Sequence, residues 1–477
     1  MKATPKTVKS IVITLQLAIP VSAFCHARAA ILPTTPVARP AAQVGPIRSR
    51  AIPKSDSSCL AQLKRYIATG WKSGPTAMSK SSWLQLAVRH RYPRTVRFLL
   101  AIGADPNRVT LGSSPLLLAS RWDAVNIIRI LITHGARINQ GVGPLAHTPL
   151  EEACLMGARG AVKLLIKKGA NINAADRSGI TPSYDAVRFP GILKRLIRAR
   201  ANVNVVTKDQ MTPLDHAAWL GATVSVNMLL AAGANPMLGL RRQWLRSPLD
   251  YSRNGQAAVA LLNSGLNPEY QGGISHRTAM CYAANGDVVK VLFRAAPKSL
   301  FSIPGRDGTP LDTAAMDGRL SALREILALG APTMHNGAGH VDLWPLRWAM
   351  FYHEGSGELG SHRALGMVEA LIGHGANVNA GPPGHQPLDW IIRRVVFGRY
   401  RIAAYLIRHG AAINAGPLGC RPLDLAIMWD RTRVAKCLVR HGVDLNAGPP
   451  GHRPLDLAIK CKDATIGAYL IRHGALR

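Results

Sequence analysis

The chain is 477 residues long, 47% hydrophobic and 5% aromatic, and carries 59 Lys plus Arg against 26 Asp plus Glu, a formal charge of +33. Its length exceeds what one hydrophobic core usually supports, which argues against a single simple globule. The seven cysteines stand at 25, 59, 154, 281, 420, 437 and 461 without a C-x-x-C pair, which excludes a disulfide framework and a zinc-finger-type site.

Lys2, Lys6 and Lys9 precede an apolar run from Ile11 to Ile19 that Pro20 closes, and Val21-Ser22-Ala23 supplies small residues for cleavage. Residues 1–23 therefore read as an export signal, with a second cut possible after Ala27-Arg28-Ala29, and the expected location is periplasmic or secreted. A cytoplasmic protein with an uncleaved amphipathic start is the alternative. The run is shorter than the roughly 20 residues a membrane span needs, and no later stretch has that unbroken apolar length. Residues 24–58 are rich in Ala, Pro and Arg, with Pro33, Pro36, Pro40, Pro46 and Pro53 spaced as in an extended linker. Cys59 to Trp71 reads as a helix, with Leu60, Leu63, Tyr66 and Ile67 on one face, inside a degenerate N-terminal capping region over 59–81.

From Ser82 onward the chain repeats itself. The stretch NAGPPGHRPLDLA from Asn446 has close variants at Asn379 and Asn414. Thr212-Pro213-Leu214-Asp215 places Thr at a helix N-cap, Pro at the first helical position and an acid in the first turn; Thr148, Ser247 and Thr309 open the same pattern. Small residues follow for close packing (Ala119, Ala153, Ala217, Ala314, Ala426). A second apolar run then ends at a glycine (Gly103, Gly135, Gly169, Gly233, Gly330, Gly375, Gly410, Gly442 or Gly474), the residue suited to a left-handed helix end. The anchors Ser82, Ser114, Thr148, Thr181, Thr212, Ser247, Thr278, Thr309, Trp344, Gln386, Arg421 and Arg453 lie 32, 34, 33, 31, 35, 31, 31, 35, 42, 35 and 32 residues apart. That spacing gives about 12 units over 82–477, each a pair of short helices that buries its apolar face only against its neighbours.

Period, Thr-Pro-Leu and Gly-Ala together resemble the ankyrin repeat family, whose units run about 33 residues around a T-P-L-H-x-A core. The resemblance implies an all-α solenoid of stacked helix-turn-helix units joined by short β-hairpins or turns. It departs where the family's His is Asp215, Asp250, Asp312, Asp389, Asp424 or Asp456, and where the Thr278 unit reads Thr-Ala-Met. It also implies that another protein is bound on a concave face, through the ends of the first helices. Here those positions hold Arg121 and Trp122, Leu155 and Met156, Arg188 and Phe189, Trp219 and Leu220, Phe351 and Tyr352, Arg393 and Arg394, and Met428 and Trp429. Trp, Tyr and Arg dominate interface energies, but rings at such positions also pad the junctions between units. His147, Met211, Arg246, His385 and His452 are weaker candidates on the same face.

The positive charge has a local cause: Arg408, Arg440 and Arg472, with His134, His374, His409, His441 and His473, fall in the last turns of second helices, where the dipole favours cations. A basic surface for anionic polymers, nucleic acid or envelope polysaccharide, is the competing reading. The His ladder cannot chelate one ion, because successive repeats lie about 10 Å apart. The Gly-rich insertion 353–362, with His353, Glu354, Glu358 and His362, is expected to be a solvent-exposed loop and lacks HExxH spacing. No nucleophile elbow, phosphate loop or paired-carboxylate spacing appears, so catalysis, metal and cofactor are not expected. Tyr469, Leu470 and Ile471 repeat the internal pattern of Tyr405, Leu406 and Ile407 at the C-terminal end, where weak self-association is expected. The function expected is a non-enzymatic protein-interaction scaffold. A periplasmic partner that neutralises a toxin and a host-directed effector are variants of that reading.

Overall fold

The protein is described from a computed structural model that covers residues 55–68, 79–110, 112–238, 246–271, 277–301, 308–333, 345–351, 357–393 and 399–476. The expected export segment, the linker as far as residue 54, Trp344, Tyr352, residues 353–356 and Arg394 lie outside the described residues, as does the side chain of Phe351. The chain forms two compact units, residues 1–104 and 105–477.

The first unit contains α1 (Asp56–Ala68), α2 (Lys80–Arg89) and α3 (Pro93–Ala101). α1 begins three residues before the expected Cys59, because Asp56 has a structural role: its carboxylate accepts the Arg94 and Thr95 N–H groups at 2.8 and 3.0 Å and the Thr95 hydroxyl at 2.6 Å. Asp56 thus caps the start of α3, and Cys59 and Leu63 are buried. α2 also begins early. Its N-cap is Ser79, which accepts from Ser82 N–H at 3.2 Å, so Ser82 lies in the first turn and not at the cap.

The second unit runs through α4 (Pro115–Arg121) and α5 (Val125–Thr133), α6 (Pro149–Leu155) and α7 (Arg159–Lys167), α8 (Pro182–Asp185) and α9 (Pro190–Arg198), and α10 (Pro213–Leu220) and α11 (Thr223–Ala231). There follow α12 (Gly255–Asn263), α13 (Ala279–Tyr282) and α14 (Gly286–Ala295), α15 (Pro310–Met316) and α16 (Leu320–Ala328), and α17 (Pro345–Phe351) and α18 (Gly357–Gly373). The last pairs are α19 (Pro387–Arg393) and α20 (Arg399–Arg408), α21 (Pro422–Met428) and α22 (Thr432–Arg440), and α23 (Pro454–Lys460) and α24 (Ala464–Arg472). First helices pack on first helices (α4 on α6, α19 on α21, α21 on α23) and second helices on second helices (α5 on α7, α20 on α22, α22 on α24). The fold is an all-α stack of helical pairs. No strand occurs among the described residues, and the hairpins shrink to bridges, Thr110 with Ser113 and Val142 with His147.

Burial follows the sequence period. Leu131, Leu165, Leu196, Leu229, Leu261, Leu292, Ile326, Leu371, Leu406, Leu438 and Leu470 hold one position in successive second helices, and none is exposed. The alanines expected at close contacts are buried as well. Thr148 with Glu151, Thr212 with Asp215 and Thr309 with Asp312 form reciprocal capping boxes, so the acid after Pro-Leu closes the helix start.

The asparagine that opens the NAGPPGH turns at 379 and 446 is a clamp between units, and Asn414 keeps one such bond, from the Asp444 N–H at 2.9 Å. Asn379 Nδ2 donates to the Gly410 carbonyl at 3.0 Å while its Oδ1 accepts the Ala412 N–H at 2.7 Å. Asn107, Asn204 and Asn446 repeat both bonds on Gly135 and Arg137, Gly233 and Asn235, and Gly474 and Leu476. Each clamp satisfies a helix-end carbonyl that would otherwise lack a partner within its helix.

Three units differ from the expected pair, α8 being a single turn continued by a 3-10 turn at Ala186–Arg188. Residues 248–251 form turns instead of a first helix. α13 is one turn long; the carbonyls it leaves are taken by Arg319, whose Nη2 and Nη1 donate to Cys281 and Ala283 at 2.6 and 2.7 Å, and by the Thr313 hydroxyl. The expected loop 353–362 is corrected over 357–362, where the backbone is the start of α18.

Candidate interaction surface

The predicted contact residues separate into seam and surface. Phe189 is half-buried, and a methyl group added at Gly157 would meet its Cε1 at 2.6 Å, so the ring fills the junction with the preceding unit. Trp219 lies under the Arg253 guanidinium at 4.7 Å and beside His216, which stacks on Tyr184 at 4.4 Å. These rings bridge successive units. The same device recurs where Arg347 covers Trp390 at 4.8 Å and Arg246 covers Tyr282 at 4.1 Å. Arg121 is held by Glu152, Nε to Oε1 at 2.5 Å. Burial would raise the Glu152 carboxyl, but the His147 hydrogen bond and the Arg121 charge outweigh it and hold it below the ordinary range. Trp122, Leu155, Met156 and Leu220 are half-buried and Arg188 is exposed.

Three predicted residues from adjacent units converge. Arg393 at the end of α19 and Met428 and Trp429 at the end of α21 line a depression of about 370 Å³, with Cys420 and Leu425 completing it. Leu425 is buried, whereas Met428 and Trp429 are 45% and 46% exposed and adjoin one another. The position is set by local chemistry. Pro422 starts α21, Asp424 accepts the Gly419 N–H at 3.1 Å, and Asp430 turns the chain with φ of 50°, which ends the helix and leaves the Trp429 ring at its rim. Arg393 is oriented by donating from Nη2 to the Gly384 carbonyl at 3.0 Å. Burial pushes the Asp389 and Asp424 carboxyls up, against the pull of Arg393 and Arg421 among their neighbours. The result is an apolar, aromatic hollow edged by one guanidinium, suited to an amphipathic side chain or a short acidic-apolar segment of a partner. Sequence reasoning did not single out Leu425, which packs as core, or assign a contact role to Cys420, which sits in the turn.

The histidine ladder is tied to the backbone. His134, His374, His409, His441 and His473 each place Nδ1 at 2.8–2.9 Å from the carbonyl four residues earlier, so the ring donates there and caps the helix end. Of the C-terminal triplet, Leu470 is buried and the Tyr469 ring lies tilted against His473, centroids 4.2 Å apart; Ile471 is 55% exposed, with Ile459 and Leu476 at 54% and 58%. The described cysteines are unbonded, and burial raises the thiols of Cys59, Cys154, Cys281 and Cys437. Among the described residues no helix is long and apolar enough to cross a membrane. One capping acid, Glu151, meets a carboxylate from the turn of the next unit, Asp176, around His147.

Residues 84–176 match the family model for ankyrin repeats, in 3 copies. The chain is 32% identical over 113 residues to an ankyrin repeat protein of Fowlpox virus (strain NVSL), covering 23% of this chain and 33% of that protein. It is 36% identical over 106 residues to Protein PhlB of Serratia liquefaciens, covering 22% of this chain and 47% of that one. It is 33% identical over 236 residues to the ankyrin repeat and KH domain-containing protein mask-1 of Caenorhabditis elegans, covering 47% of this chain and 9% of that protein. The chain thus spans less than half the length of each of these relatives.

Proposed function

We propose that this chain, whose residues 84–176 match the ankyrin-repeat family model, is a non-enzymatic scaffold that binds another protein through the hollow formed by Arg393, Met428 and Trp429. Ankyrin repeats are protein-interaction modules, and their rigid stack supports recognition by shape. The observation that carries the reading is the exposure of Met428 and Trp429 beside an oriented guanidinium, while Phe189 and Trp219 are used up between units. Trp122 is the second anchor. Affinity capture from native lysate with the wild-type chain and with a Trp122→Ala, Trp429→Ala variant tests it: the specific partner is retained by the first and lost by the second, at a penalty of about 2 kcal/mol for a central anchor. Equal retention overturns the reading.

The formal charge of +33 supports a second reading, binding of nucleic acid or envelope polysaccharide. Such binding collapses with salt for all anionic ligands alike and is indifferent to Trp429→Ala. We place the chain outside the cytoplasm on the strength of residues 1–23, which N-terminal sequencing of the exported chain checks. Ile459, Ile471 and Leu476 support weak self-association, and light scattering that reports a strict monomer at high concentration removes that element.

A further inference from the structure

An imidazole and three carboxylates meet at the junction of the α6 and α8 units, away from the hollow described above. His147 is fixed by its backbone, which pairs with Val142 through hydrogen bonds of 2.9 and 3.0 Å, one residue before the Thr148 cap. Its Nε2 lies 3.7 Å from Glu151 Oε1 and 3.5 Å from Asp176 Oδ2, and its Nδ1 lies 3.5 Å from Glu152 Oε2. All three carboxylates are buried, and the His147 side chain is 17% exposed. We propose that His147, Glu151 and Asp176 form a binding site for a divalent first-row transition cation, zinc first among them.

The geometry is that of a ligand set. One donor atom from each residue lies within 4.8 Å of the other two. Zinc bound at about 2.0–2.2 Å by nitrogen and oxygen in a tetrahedron sets neighbouring donors about 3.3–3.6 Å apart, close to the 3.5 and 3.7 Å separations here. Three protein ligands leave the fourth position to water, reached past the exposed edge of the imidazole.

Each ligand is also oriented by a partner of its own. Asp176 Oδ1 accepts the Ser178 and Ile180 N–H groups at 2.8 Å, which turns Oδ2 toward the imidazole. Glu151 Oε2 accepts the Thr148 N–H of the capping box at 3.5 Å, which turns Oε1 the same way. Glu152 Oε2 faces His147 Nδ1 while Oε1 is fixed on Arg121, so an imidazole that donates from Nδ1 to Glu152 turns its Nε2 lone pair toward the two acids. That is the carboxylate–histidine–metal arrangement in which an outer acid sets the tautomer and raises ligand basicity. The charge balance points the same way. Arg121 is paired with Glu152, the outer acid, and Glu151 and Asp176 supply the two carboxylates that a dication would neutralise. Imidazole with two carboxylates suits zinc and its neighbours, whereas magnesium and calcium take oxygen alone.

The competing occupant is a proton, which would make His147 an imidazolium paired with the same acids. The full chain, stripped with a chelator, is titrated with zinc by calorimetry as wild type, Asp176→Asn and His147→Gln. Asparagine keeps an oxygen for Ser178 and Ile180, so the turn survives the loss of charge. Wild type binds one more equivalent than either variant, zinc raises its melting temperature and not theirs, and Glu152→Gln weakens the site by about 10–100-fold. In unsubstituted protein, cobalt(II) broadens the amide resonances of residues 147–152 and 176–180 ahead of those near the other histidines, a reading that needs no variant to fold. Equal stoichiometry and affinity in wild type and folded variants, or broadening spread evenly over the histidines, overturns the site and leaves the proton in its place.

Discussion

Replacing Asp250 by Asn removes a pH dependence that this carboxyl imposes on the fold. Asp250 is 6% exposed, and its Oδ2 accepts the Ser247 N–H at 2.7 Å. No helix follows it, since 248–251 form turns, so little dipole is present to support a charge. Burial pushes the carboxyl from 3.8 to about 7, against the Ser247 hydrogen bonds and the Arg246 charge, with Asp215 reinforcing the rise. Because the folded value lies above the unfolded one, the folded chain holds a proton that the unfolded chain has released between about pH 4 and about pH 7. Stability therefore falls as pH rises through that window and is level on either side of it. A tenfold change in proton affinity is about 1.4 kcal/mol, so a displacement from 3.8 to about 7 amounts to about 4 kcal/mol. Asn is neutral and keeps an oxygen for the Ser247 N–H. The D250N variant should match wild type near pH 4 and exceed it by up to about 4 kcal/mol near pH 8. Urea unfolding across that range measures the difference, with native-state amide exchange in α12 as the local reading, because units of a stack open in part independently. Curves for the two proteins that run parallel from pH 4 to pH 8 would refute the argument. Asp215, raised to about 6 by burial against its Thr212 hydrogen bonds, carries the same sign at smaller size. The two carboxyls are coupled, so their effects do not add.

Leu423 is 1% exposed, and Leu423→Asp leaves an uncompensated charge there; a local loss of ~3–5 kcal/mol is expected, read as faster limited proteolysis around α21. Asn379→Ala frees the Gly410 carbonyl and the Ala412 N–H, which lie at an exposed seam, so the loss is nearer ~1 kcal/mol. The Ala412 amide should then exchange about fivefold faster, and an unchanged rate would remove the clamp from the account.

The repeat itself was legible in the chain. Thr-Pro-Leu with an acid, the closing glycine and the apolar period act within one unit, through caps and short-range packing, so they survive in sequence as a pattern. Gly103 through Gly474 accordingly take φ between 79° and 93°, and Thr212 and Asp215 form the box their spacing implies. The same local rules misplace the start of α2, because Ser79 and Ser82 are equally good caps by composition. The first helix expected after Ser247 is absent, and 248–251 form turns although Asp250 keeps its hydrogen bond from the Ser247 N–H.

Surface and seam were not separable in the sequence. Phe189 and Trp429 occupy equivalent positions in their units and Trp219 the position one residue earlier, yet of the three only Trp429 stands half-exposed: the unit that follows brings Arg253 over Trp219, and the Phe189 ring fills the junction at Gly157. The gathering of Glu151, Asp176 and His147 has the same origin. Asp176 lies in the turn of the next unit, and only stacking sets its Oδ2 beside an imidazole whose own turn is closed by Val142. Sequence alone determined the unit, its length and its caps, since those depend on residues within reach along the chain. Tertiary structure decided which equivalent side chains face solvent and which acids meet, since that depends on what the neighbouring unit places there.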